Sequence, residues 1–508
     1  MLSISDVSIY SDSQISYPLL SPFNSDVSYP EDPFEGTLEV DSRNRVYSAV
    51  RQSLYLLGLD KENFDTSSWN PLKNLINSGE TVLVKPNAVM HLNMNPSDSV
   101  FASITHGSVI RAVIDYIYIA LAGKGRVIIA DAPLAHSDFE QWLNTTGIHK
   151  IIELYREKKN FEIDIFDLRN LYVPWDFEHN YAPSKGRNIE IRDPNGYQEV
   201  DLYDASEFSN FSQEDINRLY GSDYKRQKTV VHHSNGHHKY YVSKTVLKAD
   251  VFISVPKLKV HSKVGITANL KGMVGTQGDK NYIPHHRVGS PNVGGDEHPD
   301  LGFAQNTLNR YRMWLLTNIL SHENKTADFL YKRLVLIQKL GQKIIDKLGR
   351  IRHGEKYKGN IVGGSWYGND TSWRMTLDLT KIVLFADEEG NLCNHPQRKF
   401  FSVIDGIVGG EGEGPLAPTS KHSGVVLAGF NPLSVDIVAA RLMGFDYRKI
   451  KMLEQGLKRP WLQLWEGEAN QIAVFSNKPE YSSLMNNTQA RFLDFTPPVG
   501  WQDHIEVG

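Results

Sequence analysis

Five side chains with usable chemistry, Lys257, Lys259, His261, Lys263 and Lys271, fall within fifteen positions. Gly265, Thr267, Asn269, Gly272 and Gly275 lie among and just beyond them. Ammonium groups at this density would hold a phosphate or carboxylate, and small residues let backbone approach a ligand closely. A Lys that is buried or crowded by other cations loses its proton more readily and becomes a usable base or nucleophile. The competing reading is a basic surface loop with solvated lysines.

Further along, His285-His286-Arg287 lies on a Gly-, Pro- and Asn-rich stretch with His298 close behind. Neutral imidazoles ligate transition metals, so His285 and His286 are candidate metal ligands, against a reading as solvent-facing residues. His232-His233 and His237-His238 form a second cluster inside a polar insertion and read as solvated. Asp405-Gly406 precedes the Gly-rich stretch Gly409 to Pro415, which carries Glu411 and Glu413. A loop of this kind after a strand could coordinate Mg²⁺, with Asp405, Glu411 and Glu413 as candidate ligands, or hydrogen-bond a sugar. It lacks the GK[ST] ending of a phosphate-binding P-loop and the helix that completes a dinucleotide fingerprint. Asp436, in the first turn of a later helix, reads as a complement to that helix's dipole.

These residues need elements to hold them. Thr81 to Val84 is a short apolar, β-branched run of the kind buried in parallel sheets, and it ends in Lys85-Pro86-Asn87. Thr105-His106 precedes an apolar helix from Ser108 to Leu121, and Arg126 to Ala130 forms a second strand ending at Asp131. That is a β–α–β unit, hence a right-handed crossover and a parallel sheet. Phe161 to Asp167 and Val251 to Val255 add further strands, the latter running into Pro256-Lys257. Ligands bind outside the carboxyl ends of strands in such sheets. Lys85, Asn87, Asp131, Lys257 and Lys259 therefore share one rim as candidate substrate-binding residues, with Thr105, Thr267 and Asn269. Free N–H groups at the helix start after Thr105-His106 suit an anion.

The fold class expected is α/β, with two lobes of mainly parallel sheets and a Rossmann-like N-terminal lobe. Residues 1–40, rich in Ser, Pro, Asp and Tyr, read as an extended surface arm. Residues 41–300 form the Rossmann-like lobe, opening on a helix from Arg43 to Leu57 and carrying a polar insertion at 170–240 with β-hairpins. Residues 301–508 hold a helical insertion (Tyr311 to Leu320, Thr326 to Leu348) and a smaller α/β lobe. That lobe has strands Phe401 to Asp405 and Gly424 to Ala428, and a helix capped by Asn431 with Pro432 at its first position.

Composition narrows the classes. At 508 residues the chain exceeds the about 250–300 at which single cores stop growing. Hydrophobic residues at 40% and charged residues at 22% fit a globular protein and exclude a disordered or fibrous one. A net charge of −4 gives no electrostatic case for nucleic acid, so any anion site must be local. Cys393 is the single cysteine, so neither a disulfide nor a cysteine-ligated iron–sulfur cluster can form within the chain. No basic-then-apolar leader and no run of about 18 apolar residues is visible, so no membrane association and a cytoplasmic location are expected.

Taken together, the blocks Lys85 to Asn87, Thr105-His106, Asp131 to Pro133, Ala249-Asp250, Pro256 to His261, Thr267 to Lys271, Asp405-Gly406, Glu411 to Pro415 and Val435-Asp436 resemble the bacterial and archaeal domain-of-unknown-function family 362. Many of its members carry a ferredoxin-like cysteine module, which this chain lacks. A more distant resemblance is to the nickel-pincer lactate racemase family, whose pattern His-x3-Gly-[Phe/Ile]-[Ser/Thr]-x3-Lys is met by His261, Gly265, Ile266, Thr267 and Lys271. The chain departs from it at Asn269-Leu270, where that family has a Gly pair. That resemblance implies His106 and His261 as paired proton- or hydride-handling residues. It implies Lys271 as the residue contacting a cofactor such as a nickel-pincer nucleotide, and His285 or His286 as a metal ligand.

The expected function is an enzyme on a small carboxylated or phosphorylated substrate, racemase- or epimerase-like, using His106, His261 and Lys271 in proton or hydride transfer. One alternative is metal-dependent hydrolysis or transfer on a phosphorylated substrate through Asp131, Asp405, Glu411 and Glu413. The other is a non-catalytic anion- or metal-binding scaffold.

Overall fold

Short apolar runs that read as buried strands pair in a single ten-stranded sheet. The structure, a computed structural model, describes every residue except 1–2, 177–187, 222–225, 301, 320–321, 323, 354–360, 362, 459–461, 466 and 488–491. In chain order the sheet strands are β1 (Val7–Ser11), β2 (Thr81–Pro86), β3 (Arg126–Asp131), β4 (Ile163–Asp167), β5 (Val251–Val255), β6 (Lys257–His261), β7 (Gly265–Thr267), β8 (Lys399–Glu413), β9 (Ala417–Gly429) and β10 (Val474–Ser476). Across the sheet they run β10-β1-β9-β8-β5-β2-β3-β4, with β6 added against β8 and β7 against β6.

From β8 through β5, β2 and β3 to β4 every pairing is parallel. Alternate side chains point to opposite faces. Val82, Val84, Ile129 and Ile253 therefore enter one core, while Leu83, Ile128 and Phe252 enter the other. Helices α1 (Arg45–Leu56) and α2 (Gly107–Leu121) contribute to the first core. The crossover through α2 joins β2 to β3, with Thr81 opposite Arg126 and Val84 opposite Ile129. The α/β class and the parallel β–α–β unit stand as the sequence indicates.

Three expectations are corrected. The strands assigned to a smaller lobe join the same sheet, for β8 pairs with β5 from Val251 opposite Lys399 to Ser254 opposite Ser402. The physical reason is that β8 is apolar on both faces, with Phe401 and Val403 in one core and Phe400 and Ile404 in the other. Such a strand needs covering on both sides and is interior. Second, Val7–Ser11 of the expected surface arm is an interior strand, antiparallel to β9 and parallel to β10, with Val7 and Ile9 fully buried.

Third, Gly409 to Glu413 is not a loop but the continuation of β8, paired with β9 up to Glu413 opposite Ala417. Here glycine serves close approach rather than a turn. A Cβ on Gly410 would stand 2.3 Å from the Ala102 carbonyl oxygen.

The helical insertion is a pair, α3 (Phe303–Asn318) and α4 (Lys325–His353), joined through Met313, Leu315, Tyr331 and Val335. Helices α5 (Ser372–Phe385) and α6 (Pro432–Met443) are buried along their length, and Asn431 caps α6 by accepting from the Leu433 and Ser434 amides. The polar insertion contains the antiparallel pair Tyr197–Asp201 and Lys239–Ser243. Its stretches 177–187 and 222–225 lie outside the described residues. Among the described residues no helix is long and apolar enough to cross a membrane.

Candidate functional site

Strand β6 positions the lysine row. Leu258 and Val260 point into a hydrophobic core. Lys257, Lys259 and His261 alternate with them and share the other face. All three are nevertheless buried. Charged groups are buried only where something holds them, so their partners decide what each can do.

At one end the pairing is closed. Lys257 Nζ lies 3.1 Å from Asp405 Oδ2 and donates to the Tyr17 hydroxyl at 2.5 Å. Tyr17 in turn donates to Asp405 Oδ1 at 2.6 Å. The tyrosine ring stacks on His106 at 4.1 Å between centroids, and Phe23 and Phe101 enclose the imidazole further. His106 Nδ1 accepts from the Ser108 amide, and the His106 amide donates to Asp405 Oδ2. Burial, with Lys257 adding to it, pushes this imidazole down to about 3, so it is neutral.

Beside it the rim is braced. Lys85 Nζ pairs with Asp131 Oδ1 at 2.8 Å, and Asp131 Oδ2 accepts from the Ala88 amide. Thr105 Oγ1 accepts from the Asn87 amide and donates to the Val255 carbonyl, tying the end of β2 to the end of β5. Lys259 donates to Asn87 Oδ1 at 3.1 Å and to the Ser103 carbonyl. A Cβ on Gly275 would stand 1.9 Å from Asp131 Oδ1, so only glycine can pass beside this ion pair.

The far end differs. Lys263 donates to the Gly363 carbonyl, and Lys280 to the carbonyls of Ala132, Val274 and Gln277. Carbonyls hold an ammonium without cancelling its charge. Lys271 sits among these cations on the single turn Asn269–Gly272, partly exposed, and its Nζ has no hydrogen bond or ion pair among the described residues. Burial, then Lys280, Lys263 and Lys85, pushes its amine down to about 7. Burial pushes Lys263 and Lys280 down to about 8.

Two histidines face the same cations. Burial first, then Lys271 and Lys259, holds His261 well below the usual imidazole range. The same causes, burial and then Lys271 and Lys263, depress His285. Both rings are neutral, and their hydrogen bonds set opposite tautomers. His261 Nδ1 accepts from the Lys263 amide at 3.1 Å, which leaves its proton on Nε2. His285 Nδ1 donates to the Ile283 carbonyl at 3.1 Å, which leaves Nε2 bare.

Of the expected catalytic set, the structure brings His261 and Lys271 together. His106 stands by Lys257, which is four residues and roughly 13 Å of strand from His261, and His285 is a histidine within electrostatic reach of His261. His106 thus sits with the paired end of β6, and His261 with the cation-rich end. Asn269 is fully buried, with its amide group bonded to Asp436 and Ser402, so it is not free for substrate. The Thr105 hydroxyl is consumed by the backbone brace. Thr267 keeps a buried hydroxyl without a partner, opposite Lys259 in the register.

The expected metal set does not converge. Among the described residues no group of three His, Cys, Asp or Glu side chains is disposed to hold a metal ion. Asp405 is bonded to Lys257 and Tyr17. Glu411 pairs with Lys421 and accepts from the Thr496 amide, while Glu413 accepts from the Val499 amide. His286 turns away from His285 and stacks on Tyr220. His285 lies among lysines, which repel a cation. The candidate ligands among the described residues therefore do not assemble into a site for a divalent metal or a nickel cofactor.

Three participants carried little signal in the sequence. Tyr17 comes from the N-terminal arm. Lys280 follows Lys271 by nine positions in the same Gly-containing stretch and was legible as a continuation of it. Asp436 does not serve the dipole of α6 alone. It accepts from the Asn269 amide, the Asn269 side chain and the Leu270 amide at 2.8–2.9 Å, fixing the turn that carries Lys271.

Another concavity opens at the amino ends of the strands, lined by Glu80, Asp250, Arg398 and Lys399. Lys399 pairs with Glu80 there, Asp250 accepts from the Thr81 amide, and Arg398 donates to the Leu247 and Ala386 carbonyls. Those bonds account for its charges within the fold.

Comparison with known proteins bears on family rather than chemistry. The family model described as a domain of unknown function, DUF362, matches residues 82–175 and 180–441. A solved structure of a protein from Thermotoga maritima aligns over 73% of this chain and 53% of its own, with 9% identity and a TM-score of 0.28. The alignment thus spans about half the length of that protein, and so slight a likeness supports no argument about function. No curated protein matches the sequence.

Proposed function

The chain belongs to the family of domain of unknown function 362, and from the cation-rich end of β6 we propose an enzyme that binds a small carboxylated or phosphorylated anion and moves a proton on it. Lys259, Lys263 and Lys280 form the anion-holding wall. His285 Nε2 accepts a proton from a carbon next to the anionic group, His261 Nε2–H donates a hydrogen bond to the charge that develops, and an ammonium of the lysine wall returns a proton. A racemase or epimerase step requires a bare base and a charged proton donor, and a neutral imidazole among lysine ammonium groups supplies both.

One observation supports this reading above the rest. Lys85, Lys257, Lys259, Lys263 and Lys271 gather at one rim, and among the described residues only Lys85 and Lys257 of these have a carboxylate within ion-pair distance. Buried cations without counter-ions are costly to keep, and a bound anion removes that cost. The metal-dependent alternative needs Asp131, Asp405, Glu411 and Glu413 in one place, whereas Asp131, Asp405 and Glu411 each pair with a lysine of their own and Glu413 accepts from the Val499 amide.

The test is solvent deuterium uptake. Incubation with 2-hydroxy acids and sugar acids in D₂O is expected to label the carbon bearing the hydroxyl, with uptake lost in His261→Gln and in His285→Gln. Uptake unchanged in both variants, or no uptake from any acid that binds, would overturn it.

A further inference from the structure

The lysines of the rim are not equivalent. Lys85 and Lys257 are ion-paired, and Lys259, Lys263 and Lys280 each donate to oxygen atoms of amide or carbonyl groups. A lysine whose protons are engaged in hydrogen bonds keeps its charge and has no lone pair to offer. Lys271 is the exception, with no partner for its Nζ among the described residues. It is also the reachable one: it is partly exposed, and a Cβ on the adjacent Gly272 would meet nothing within 4 Å. Its backbone, by contrast, is rigidly held, because Asp436 fixes the preceding Asn269 and Leu270 amides.

We propose that Lys271 is a nucleophile that condenses with the carbonyl carbon of a bound 2-oxo acid. This rests on the anion-binding, proton-moving reading of the same rim and adds to its substrates the 2-oxo acids, whose labile hydrogen is on C3. The Nζ lone pair attacks the carbonyl carbon and forms a C–N bond, while the C=O π pair moves to oxygen. His285 Nε2 carries one Nζ proton to that oxygen, while His261 Nε2–H donates a hydrogen bond to it, giving the carbinolamine. His285 Nε2 then carries the second Nζ proton to the hydroxyl, the C–O bond breaks as water departs and the C=N bond forms, so an amine and a ketone become an imine and water. No oxidant or reductant is needed. Once a neighbouring lysine ammonium protonates the imine nitrogen, the imine withdraws electrons from C3, the adjoining carbon that carries hydrogen, and makes its C–H acidic enough for His285 Nε2 to take the proton.

Burial among cations brings Lys271 down to about 7, so at neutral pH a large share of it is the free amine, unlike a surface lysine. Carboxylates within ion-pair distance of Lys271 are absent among the described residues, so a substrate carboxylate would find its cations already in place on Lys259, Lys263 and Lys280.

The experiment is reductive trapping of the full chain with pyruvate and sodium borohydride, read by intact mass and peptide mapping. The expected result is one adduct per chain, on Lys271, suppressed by excess inorganic phosphate and absent in Lys271→Met. Its rate should reach half-maximum near pH 7 rather than near the pH at which surface lysines label. Lys271→Met removes a crowded cation and is expected to fold. Lys271→Arg keeps the charge and should bind phosphate without trapping pyruvate. Adducts spread over surface lysines, or labelling of Lys271 that phosphate does not reduce, would overturn the proposal. If phosphate protects the protein against heat and deuterium is taken up while Lys271 stays unlabelled, the nucleophile is overturned and the anion-binding enzyme stands. Absence of phosphate protection overturns the wider reading itself.

Discussion

The two ends of strand β6 carry the same residue types with opposite outcomes. At Lys257 every charge is answered: Asp405 and the Tyr17 hydroxyl close on the ammonium, and three aromatic rings seal His106. At His261 the nearest charges are Lys271, Lys259 and Lys263, all of one sign. A buried pair is indifferent to ligands and fragile to the loss of one member. A buried excess of one charge tolerates loss of a member and responds to ligands. The difference separates what builds this rim from what the rim is built to do.

The largest effect should come from breaking the closed end. Lys257→Met leaves the fully buried Asp405 carboxylate without its cation, and about 3–5 kcal/mol of stability should be lost, read from the urea midpoint. A midpoint near wild type would mean the pair is not structural.

Asp436→Ala comes next. It frees the Asn269 and Leu270 amides inside the protein, so about 1–3 kcal/mol should go. Pyruvate trapping at Lys271 should fall with it, because the turn that aims the amine is released.

Lys271→Met should sharpen the contrast by changing stability in the other direction. The amine titrates near 7 when folded, below its ordinary value of 10.5. Between those values the unfolded chain binds a proton that the folded chain does not, so wild-type stability falls as pH descends from 10.5 to 7 and this contribution is level below that. The variant lacks that slope. Its melting temperature should therefore exceed the wild type's by a margin that grows across the same window, and inorganic phosphate should narrow it.

Tyr17→Phe removes a hydroxyl shared by Lys257 and Asp405 while keeping the ring on His106, at about 1 kcal/mol. Glu413→Gln should do least, since its carboxylate only accepts from the Val499 amide at the tip of the β8–β9 hairpin. Deuterium uptake should be unchanged in it.

Local pattern made much of this legible. Thr81 to Val84, Arg126 to Ala130 and Val251 to Val255 are strands because apolar β-branched runs between turn residues have few other ways to be buried. The alternation Lys257, Lys259, His261 with Leu258 and Val260 was also written in the chain. The glycines that follow it draw attention to a loop, yet the structure shows a buried strand. Gly409 to Gly414 misled for a related reason: glycine signals turns far more often than it signals the close passage of another backbone.

By itself the sequence determined that the protein is α/β, that it belongs to a recognisable family, and that lysines and histidines concentrate after β5. Those properties follow from local periodicity and from residue type. Only the tertiary structure decided which lysines are answered. Asp405 meets Lys257 because β8 lies beside β6, Tyr17 arrives from far up the chain, and His285 comes within electrostatic reach of His261. The charge of a buried group depends on what surrounds it in space, and spacing along a chain does not encode that.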